Sequence, residues 1–103
     1  MMDTQPQIKL PLTGHQARIL NFIGDFIQTR HYPPTITEIQ RELRITNPGT
    51  VHKSLASLEK KNYINKEKNT ARGIRLTPLG GEVCAANRQL NFELKELHQL
   101  KKF

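Results

Sequence analysis

The segment from Pro33 to Leu58 constrains the fold most, because its pattern predicts two short helices joined by a tight turn. Pro33 and Pro34 impose an extended approach, since a residue that precedes proline avoids the helical region. Thr35 and Glu38 then match a capping box, in which two side chains satisfy free amides at a helix start. Apolar residues follow at helical spacing and mark one buried face of this first helix: Ile36, Ile39 and Leu43.

A second predicted helix begins only three residues after the first. Asn47 is a favourable N-cap residue, and Pro48 suits the first helical position, which needs no amide hydrogen. The positions that recur at helical spacing, and therefore face the core, are Val51, Leu55 and Leu58. The opposite face carries small, polar and basic residues: Gly49, Lys53, Ser57 and Lys60, flanked by Thr50 and His52. This arrangement predicts a helix-turn-helix whose second helix enters the major groove of DNA.

The residues on either side predict the rest of the domain. Thr13 and Gln16 match a capping box, and apolar residues at helical spacing follow them. Residues 63–66 and 74–76 have the alternating pattern of strands, with a polar turn over 68–73. The sequence therefore predicts a mainly α fold, a winged helix-turn-helix with three helices, a two-stranded β-hairpin wing and an additional C-terminal helix.

The C-terminal helix is predicted from a change of pattern. We interpret residues 77–81 as a breaker, since they contain a proline and two adjacent glycines, and a helical pattern runs from Glu82 onward. Leucines form one stripe along this helix: Leu90, Leu94, Leu97 and Leu100. A lone helix gains little by exposing such a stripe, so we expect it to pack on a second copy of the chain; the alternative is a fourth helix folded back on the domain. The predicted units are a flexible arm at 1–11, the winged helix-turn-helix at 12–77 and the C-terminal helix at 82–103.

Several motifs between Leu12 and Leu76 occur together in a known family. They are the Leu12-Thr13 start with Gln16, the Tyr32-Pro33-Pro34-Thr35 segment, Glu38-Ile39, Thr50-Val51-His52, Leu55 and Leu58, and the ending Arg72-Gly73-Ile74-Arg75-Leu76. With these motifs the segment resembles the N-terminal DNA-binding domain of the LexA repressor family. The resemblance implies a repressor that occupies an operator on double-stranded DNA. Full-length members also carry a self-cleaving serine/lysine peptidase domain, for which 103 residues leave no room, so the resemblance implies DNA binding without self-cleavage.

Candidate DNA contacts lie on the second helix of the helix-turn-helix and on the wing. Residues near the N-terminal end of such a helix usually contact base edges, and the candidates here are Asn47, Gly49, Thr50, His52 and Lys53. Lys53 suits guanine O6 and N7, whereas Asn47 acting only as a cap and His52 as a polar flank are alternatives. Phosphate contacts are predicted for basic residues at the end of the helix and on the wing: Lys60, Lys68, Arg72 and Arg75. The alternative for those on the wing is a solvated surface.

The composition favours a polyanionic partner and offers no catalytic constellation. The formal net charge is +7 and the sequence pI is about 9.9. The lone Cys84 excludes an internal disulfide and a cysteine-based zinc site, and the four histidines lack metal-ligand spacing. Ser54 and Ser57 lie inside a predicted helix rather than in a nucleophile turn. We therefore predict no enzyme activity, no metal and no cofactor.

The expected partners are double-stranded DNA and a second copy of the chain, with no membrane and no small-molecule substrate. The sequence has neither a signal peptide nor an apolar run of membrane-spanning length, which predicts a cytoplasmic protein. The resemblance implies that it is associated with the nucleoid and comes from a bacterium or a phage. The alternative function is a winged-helix module that binds another protein, because the fold alone does not decide. Single-stranded nucleic acid is a weaker option, since most of the six aromatic residues are expected in the core.

Overall fold

The computed structural model describes the backbone of residues 11–100 and the side chains of residues 11–90. Its elements, in chain order, are α1 (Gly14–Arg30), α2 (Ile36–Leu43), α3 (Pro48–Lys60), β1 (Ile64–Lys66), β2 (Ile74–Leu76) and α4 (Pro78–Leu100). The two strands pair antiparallel, and with their connecting loop they form the wing, residues 64–76. This confirms the predicted winged helix-turn-helix with an additional C-terminal helix. Among the described residues, no helix is both long and apolar enough to cross a membrane.

Both predicted capping boxes are present at the starts of α1 and α2. Thr13 Oγ1 accepts a hydrogen bond from the Gln16 amide at 3.3 Å, and Gln16 Oε1 accepts one from the Thr13 amide at 3.3 Å. Thr35 and Glu38 make the same two bonds at 3.1 and 2.9 Å. Each cap satisfies amides that have no partner within the helix, which is worth about 1 kcal/mol.

The turn between α2 and α3 is short and internally bonded. Arg44 is the C-cap of α2 and has a left-handed conformation with φ of 57°, and α3 starts after Asn47. Between them the Gln40 side chain donates to the carbonyl oxygens of Ile45 and Thr46 at 3.4 and 3.5 Å. These contacts fix the direction in which α3 leaves the turn, so α2 and α3 form one unit.

The core is shared by every element and determines which face of α3 points outward. Its members come from the three helices of the domain, the wing and the start of α4: Ile19, Leu20, Ile23, Ile39, Val51, Leu55, Leu58, Tyr63, Ile64, Ile74, Leu79 and Cys84. In the wing, Ile74 is buried and Arg75 is exposed, as the predicted strand alternation requires. The predicted apolar stripe of α3 is confirmed, because Val51, Leu55 and Leu58 are all fully buried.

The predicted start of the C-terminal helix is wrong by four residues, because α4 begins at Pro78 and not at Glu82. The Thr77 hydroxyl accepts a hydrogen bond from the Gly80 amide at 3.0 Å and lies 2.7 Å from the Asn62 carbonyl oxygen, to which it donates. Gly80 is required by close approach, since a Cβ there would overlap the Tyr63 carbonyl oxygen. The residues interpreted as a breaker therefore form the first helical turn.

The first half of α4 packs on α1, as the fold-back alternative predicts for this part of the helix. Cys84 Sγ lies against Gly24 and 3.4 Å from the Leu20 carbonyl oxygen. Asn87 donates to Asn21 Oδ1 at 2.9 Å, and Arg88 lies 3.6 Å from Asp25. Beyond these contacts Leu90 is 53% exposed. The side chains of Leu94, Leu97 and Leu100, and all of the predicted arm except Pro11, lie outside the described residues.

Candidate nucleic-acid interface

The exposed face of α3 lies opposite its buried apolar stripe. At 100° per residue, Gly49, Lys53 and Lys60 fall on the side of the helix away from Val51 and Leu55, and all three are exposed. His52 is exposed on one flank, and Thr50 is half-buried on the other. The structure therefore brings the five candidates for base contacts together at the N-terminal end of one helix.

Asn47 acts as the N-cap of α3, which confirms one of the two roles predicted for it. Its Oδ1 accepts a hydrogen bond from the Gly49 amide at 2.8 Å. A Cβ at Gly49 would lie 3.1 Å from this oxygen, so the glycine leaves room for the cap as well as for a close ligand. The cap uses only the oxygen of the Asn47 carboxamide, and its Nδ2 group remains a hydrogen-bond donor on an exposed residue.

The wing presents two of its predicted phosphate contacts on an exposed surface. Lys68 is exposed in the loop, and Arg75 has a side chain that is 72% exposed and a nitrogen 3.8 Å from Glu67 Oε1. The loop closes tightly, because a Cβ at Gly73 would lie 2.7 Å from the Glu67 carbonyl oxygen. Glu59 of α3 accepts a hydrogen bond from the Lys66 amide at 3.3 Å, which attaches the end of β1 to α3.

Arg72, the third basic residue of the wing that is predicted to contact a phosphate, has several partners within the chain. Its Nη1 and Nη2 atoms each lie 2.9 Å from an oxygen of Glu38, and Nη1 also donates to the Pro33 carbonyl oxygen at 2.8 Å. The guanidinium carbon lies 4.6 Å from the centre of the Tyr32 ring. In this structure Arg72, which is predicted to contact a phosphate, therefore forms an intramolecular pair with the start of α2.

This pair changes the acidity of both groups. The hydrogen bond from Arg72, followed by the bond from the Thr35 amide, lowers the pKa of Glu38 from its ordinary 4.5 to about 2. The bond to Glu38 in turn raises the pKa of Arg72. Glu38 is therefore a carboxylate across the physiological range, and its charge offsets that of Arg72.

Sequence reasoning missed the partnership because its members are far apart in the chain. Glu38 was identified as a helix cap and Arg72 as a basic wing residue, and each description is locally sufficient. No spacing rule connects residues 38 and 72. The available signal was the cap itself, since an acid used as a cap retains a second oxygen that can accept further bonds.

An open cleft of about 720 Å³ separates the wing loop from the start of α2. Its walls carry hydroxyl groups, two lysines and two acids: Thr35, Thr37, Thr70, Lys66, Lys68, Glu59 and Glu67. Arg72 reaches from the wing to the start of α2 beside this cleft. Arg72 therefore connects the wing to the start of α2 at the edge of an otherwise open cleft. Among the described residues, no group of three histidine, cysteine or acidic side chains is arranged to hold a metal.

The fold is similar to that of several solved structures. Lactococcus lactis ZitR matches with a TM-score of 0.66 and 23% identity, over 97% of this chain and 68% of that chain. A structure of S. aureus MepR in complex with DNA matches with a TM-score of 0.64 and 24% identity, over 87% of this chain and 73% of that chain. At these identities the matches show a shared fold.

The sequence has closer relatives. The LexA repressor of Petrotoga mobilis is 38% identical over 74 residues, which are 72% of this chain and 36% of the relative. The LexA repressor of Thermotoga neapolitana is 38% identical over 92 residues, which span 82% of this chain and 46% of the relative. The chain thus spans less than half the length of these relatives. Residues 9–73 match the profile of the LexA DNA binding domain, and the chain belongs to this family.

Proposed function

We propose that the chain is a sequence-specific double-stranded DNA-binding protein that represses transcription by occupying an operator. The observation that supports this most directly is the exposed face of α3, which combines Lys53 and Lys60 with the small residue Gly49. An outward helix face of this kind, on the second helix of a helix-turn-helix, fits the major groove. Membership of the LexA DNA-binding domain family supports the same function.

Base contacts are assigned to the N-terminal half of α3. Lys53 lies on the outermost side of the helix and suits the O6 and N7 acceptors of guanine. Thr50 and His52 flank it and offer a methyl group, a hydroxyl and an imidazole. Asn47 contributes the Nδ2 donor that its capping bond leaves free, and Gly49 permits the backbone to approach the bases.

Phosphate contacts are assigned to exposed basic residues on both sides of this surface. Lys60 lies at the C-terminal end of α3, and Lys68 and Arg75 lie on the wing. The weak pair of Arg75 with Glu67 joins two exposed groups at 3.8 Å, and such pairs contribute little, so a phosphate can replace the carboxylate.

We further propose that two copies associate through the second half of α4. The helix continues to Leu100, beyond the described contacts with α1 at Cys84, Asn87 and Arg88, and Leu90 is exposed at 53%. The stripe formed with Leu94, Leu97 and Leu100 would bury apolar surface against the same stripe of a partner. A two-fold symmetric dimer of this kind would recognise a two-fold symmetric operator.

The experiment that tests this function is selection of bound duplexes from a random pool, followed by affinity measurements over a range of salt concentrations. We expect a two-fold symmetric consensus and an affinity that falls steeply with salt, because phosphate contacts release counterions. An asymmetric consensus would contradict the dimer. Absence of binding to any duplex at low salt would contradict the function and favour a protein-interaction module.

A further inference from the structure

We propose that Arg72 is a positioning residue for DNA binding, which holds the wing against the start of α2 through Glu38 and does not itself contact a phosphate. The inference rests on the DNA-binding function proposed above. It assigns to one of the four predicted phosphate contacts a different task from the other three.

Arg72 already has several partners within the chain. Its two terminal nitrogens make three hydrogen bonds of 2.8 to 2.9 Å, two of them to Glu38 and one to the Pro33 carbonyl oxygen. The guanidinium also covers the Tyr32 ring, an arrangement that adds a cation–π attraction. Parallel, charge-assisted bonds of this kind are among the strongest that a protein side chain makes.

The charge of Arg72 is also balanced within the chain. The Glu38 carboxylate neutralises the guanidinium, so a phosphate near Arg72 meets a neutral pair rather than a cation. A direct contact would require Arg72 to leave Glu38, and the carboxylate would then face the same phosphate unpaired. Lys68 and Arg75 impose no such cost, because no described residue accepts a hydrogen bond from the Lys68 ammonium and Arg75 has only a 3.8 Å ion pair with Glu67.

Arg72 also helps to hold the wing in place. The wing has strands of three residues each, and a two-stranded hairpin of this size is marginally stable alone. The bond between Glu59 and the Lys66 amide attaches its first strand to α3, and Arg72 attaches the end of its loop to α2. Lys68 lies in the loop between these attachments. The position of its charge relative to α3 therefore depends on Arg72.

The test compares Glu38→Gln, Arg72→Gln and the double variant on the selected operator duplex. Glutamine keeps an oxygen that can accept the Thr35 amide, so Glu38→Gln preserves the cap and removes the ion pair. We expect each single variant to weaken binding about tenfold, and the double variant to be no weaker than either, because both remove the same connection. Arg75→Gln is the matched control, because Arg75 is on the same wing and is assigned to a phosphate.

The sign of the Glu38→Gln effect separates the two roles of Arg72. If Arg72 contacts a phosphate, removing the nearby acid strengthens binding, and only Arg72→Gln lowers the slope of log affinity against log salt, by about 0.9. If Arg72 positions the wing, Glu38→Gln and Arg72→Gln both weaken binding and share the same slope of log affinity against log salt. The decrease in slope that one lost phosphate contact causes is then seen in Arg75→Gln. Stronger or unchanged binding by Glu38→Gln would overturn the proposal.

A readout without DNA distinguishes failure of this inference from failure of the proposed function. Amide hydrogen exchange over residues 67–73 should be faster in both Glu38→Gln and Arg72→Gln than in the unaltered protein, while exchange in the core of α1 and α3 stays the same. Unchanged exchange in the wing would overturn the inference even if DNA binding is established. Faster exchange with no binding by the unaltered protein would instead reject the proposed function.

Discussion

Lys53 is the side chain on which sequence readout is expected to depend most. It is exposed on the side of α3 opposite the buried stripe, in the second turn after the N-cap Asn47. We expect Lys53→Ala to cost roughly 1–3 kcal/mol on the selected operator and to relax the base preference at one position in each half-site. Competition binding with operator variants measures this.

Lys60→Ala is the control for this prediction, since Lys60 lies on the same line of the helix but at its C-terminal end. Its loss should weaken binding by a similar factor on every sequence. If Lys53→Ala also weakens all sequences equally, Lys53 contacts a phosphate and not a base.

The acidity of Glu38 predicts how stability depends on pH. Its pKa in the folded protein, about 2, lies below the ordinary 4.5, so the unfolded chain binds the proton more readily. The stabilisation is therefore fully present above about pH 4.5 and is lost as pH falls toward 2. We expect the difference in unfolding free energy between the unaltered protein and Glu38→Gln to shrink over this range in urea titrations. A difference independent of pH would contradict the ion pair.

At the scale of elements, the docking of α4 on α1 depends on the absence of a side chain at Gly24. A Cβ there would lie 2.5 Å from Cys84 Sγ, so one of the two helices must shift. We expect Gly24→Ala to destabilise the protein by roughly 1–3 kcal/mol in chemical denaturation, although alanine is the better helix former.

Gly81→Ala is a matched control within α4. A Cβ at Gly81 would have no neighbour within 4 Å, so the substitution should follow helix propensity and stabilise by about 0.5–1 kcal/mol. Similar effects of the two substitutions would mean that the contact between Gly24 and Cys84 does not determine how the helices pack.

The elements that sequence reasoning found are those specified by neighbouring residues. The boxes at Thr13 and Thr35, the Asn47 cap and the strand alternation of the wing each depend on residues within one or two turns. The start of α4 was missed although Thr77-Pro78 has the same form as Asn47-Pro48, because the glycines that follow usually interrupt helices. The first of those glycines, Gly80, is explained by a contact across the fold, at the Tyr63 carbonyl oxygen, which no local pattern records.

In the candidate site, too, some positions follow from local sequence patterns and one pairing does not. The exposed face of α3 follows from its buried face, and the outward direction of Arg75 follows from strand alternation. The pairing of Arg72 with Glu38 does not, because it depends on how closely the wing approaches α2. A pattern identifies which residues are basic, and only the tertiary fold determines which of them already have partners.

At the scale of the whole molecule, the proposed contact between two copies lies on the leucine stripe of α4. Leu90 is the first residue of the leucine stripe and the last described side chain on it. We expect Leu90→Glu to weaken association of the two copies, since it places a charge in an apolar contact. Sedimentation equilibrium should show a lower average mass at a given concentration.

The packing of α4 on α1 makes this prediction specific. Cys84, Asn87 and Arg88 carry that packing and are unchanged in Leu90→Glu, so the thermal unfolding of the domain should be retained. A mass equal to that of the unaltered protein would contradict association through this stripe.

Thr77 is the only residue between β2 and α4, and its hydroxyl bonds reach back to the junction of α3 and β1. Because no longer linker separates β2 from α4, the helix leaves the domain in one fixed direction. If two copies associate through the second halves of their α4 helices, the protein and not the DNA determines the distance between the exposed faces of the two α3 helices. The operator would then tolerate substitutions between its half-sites more readily than insertions.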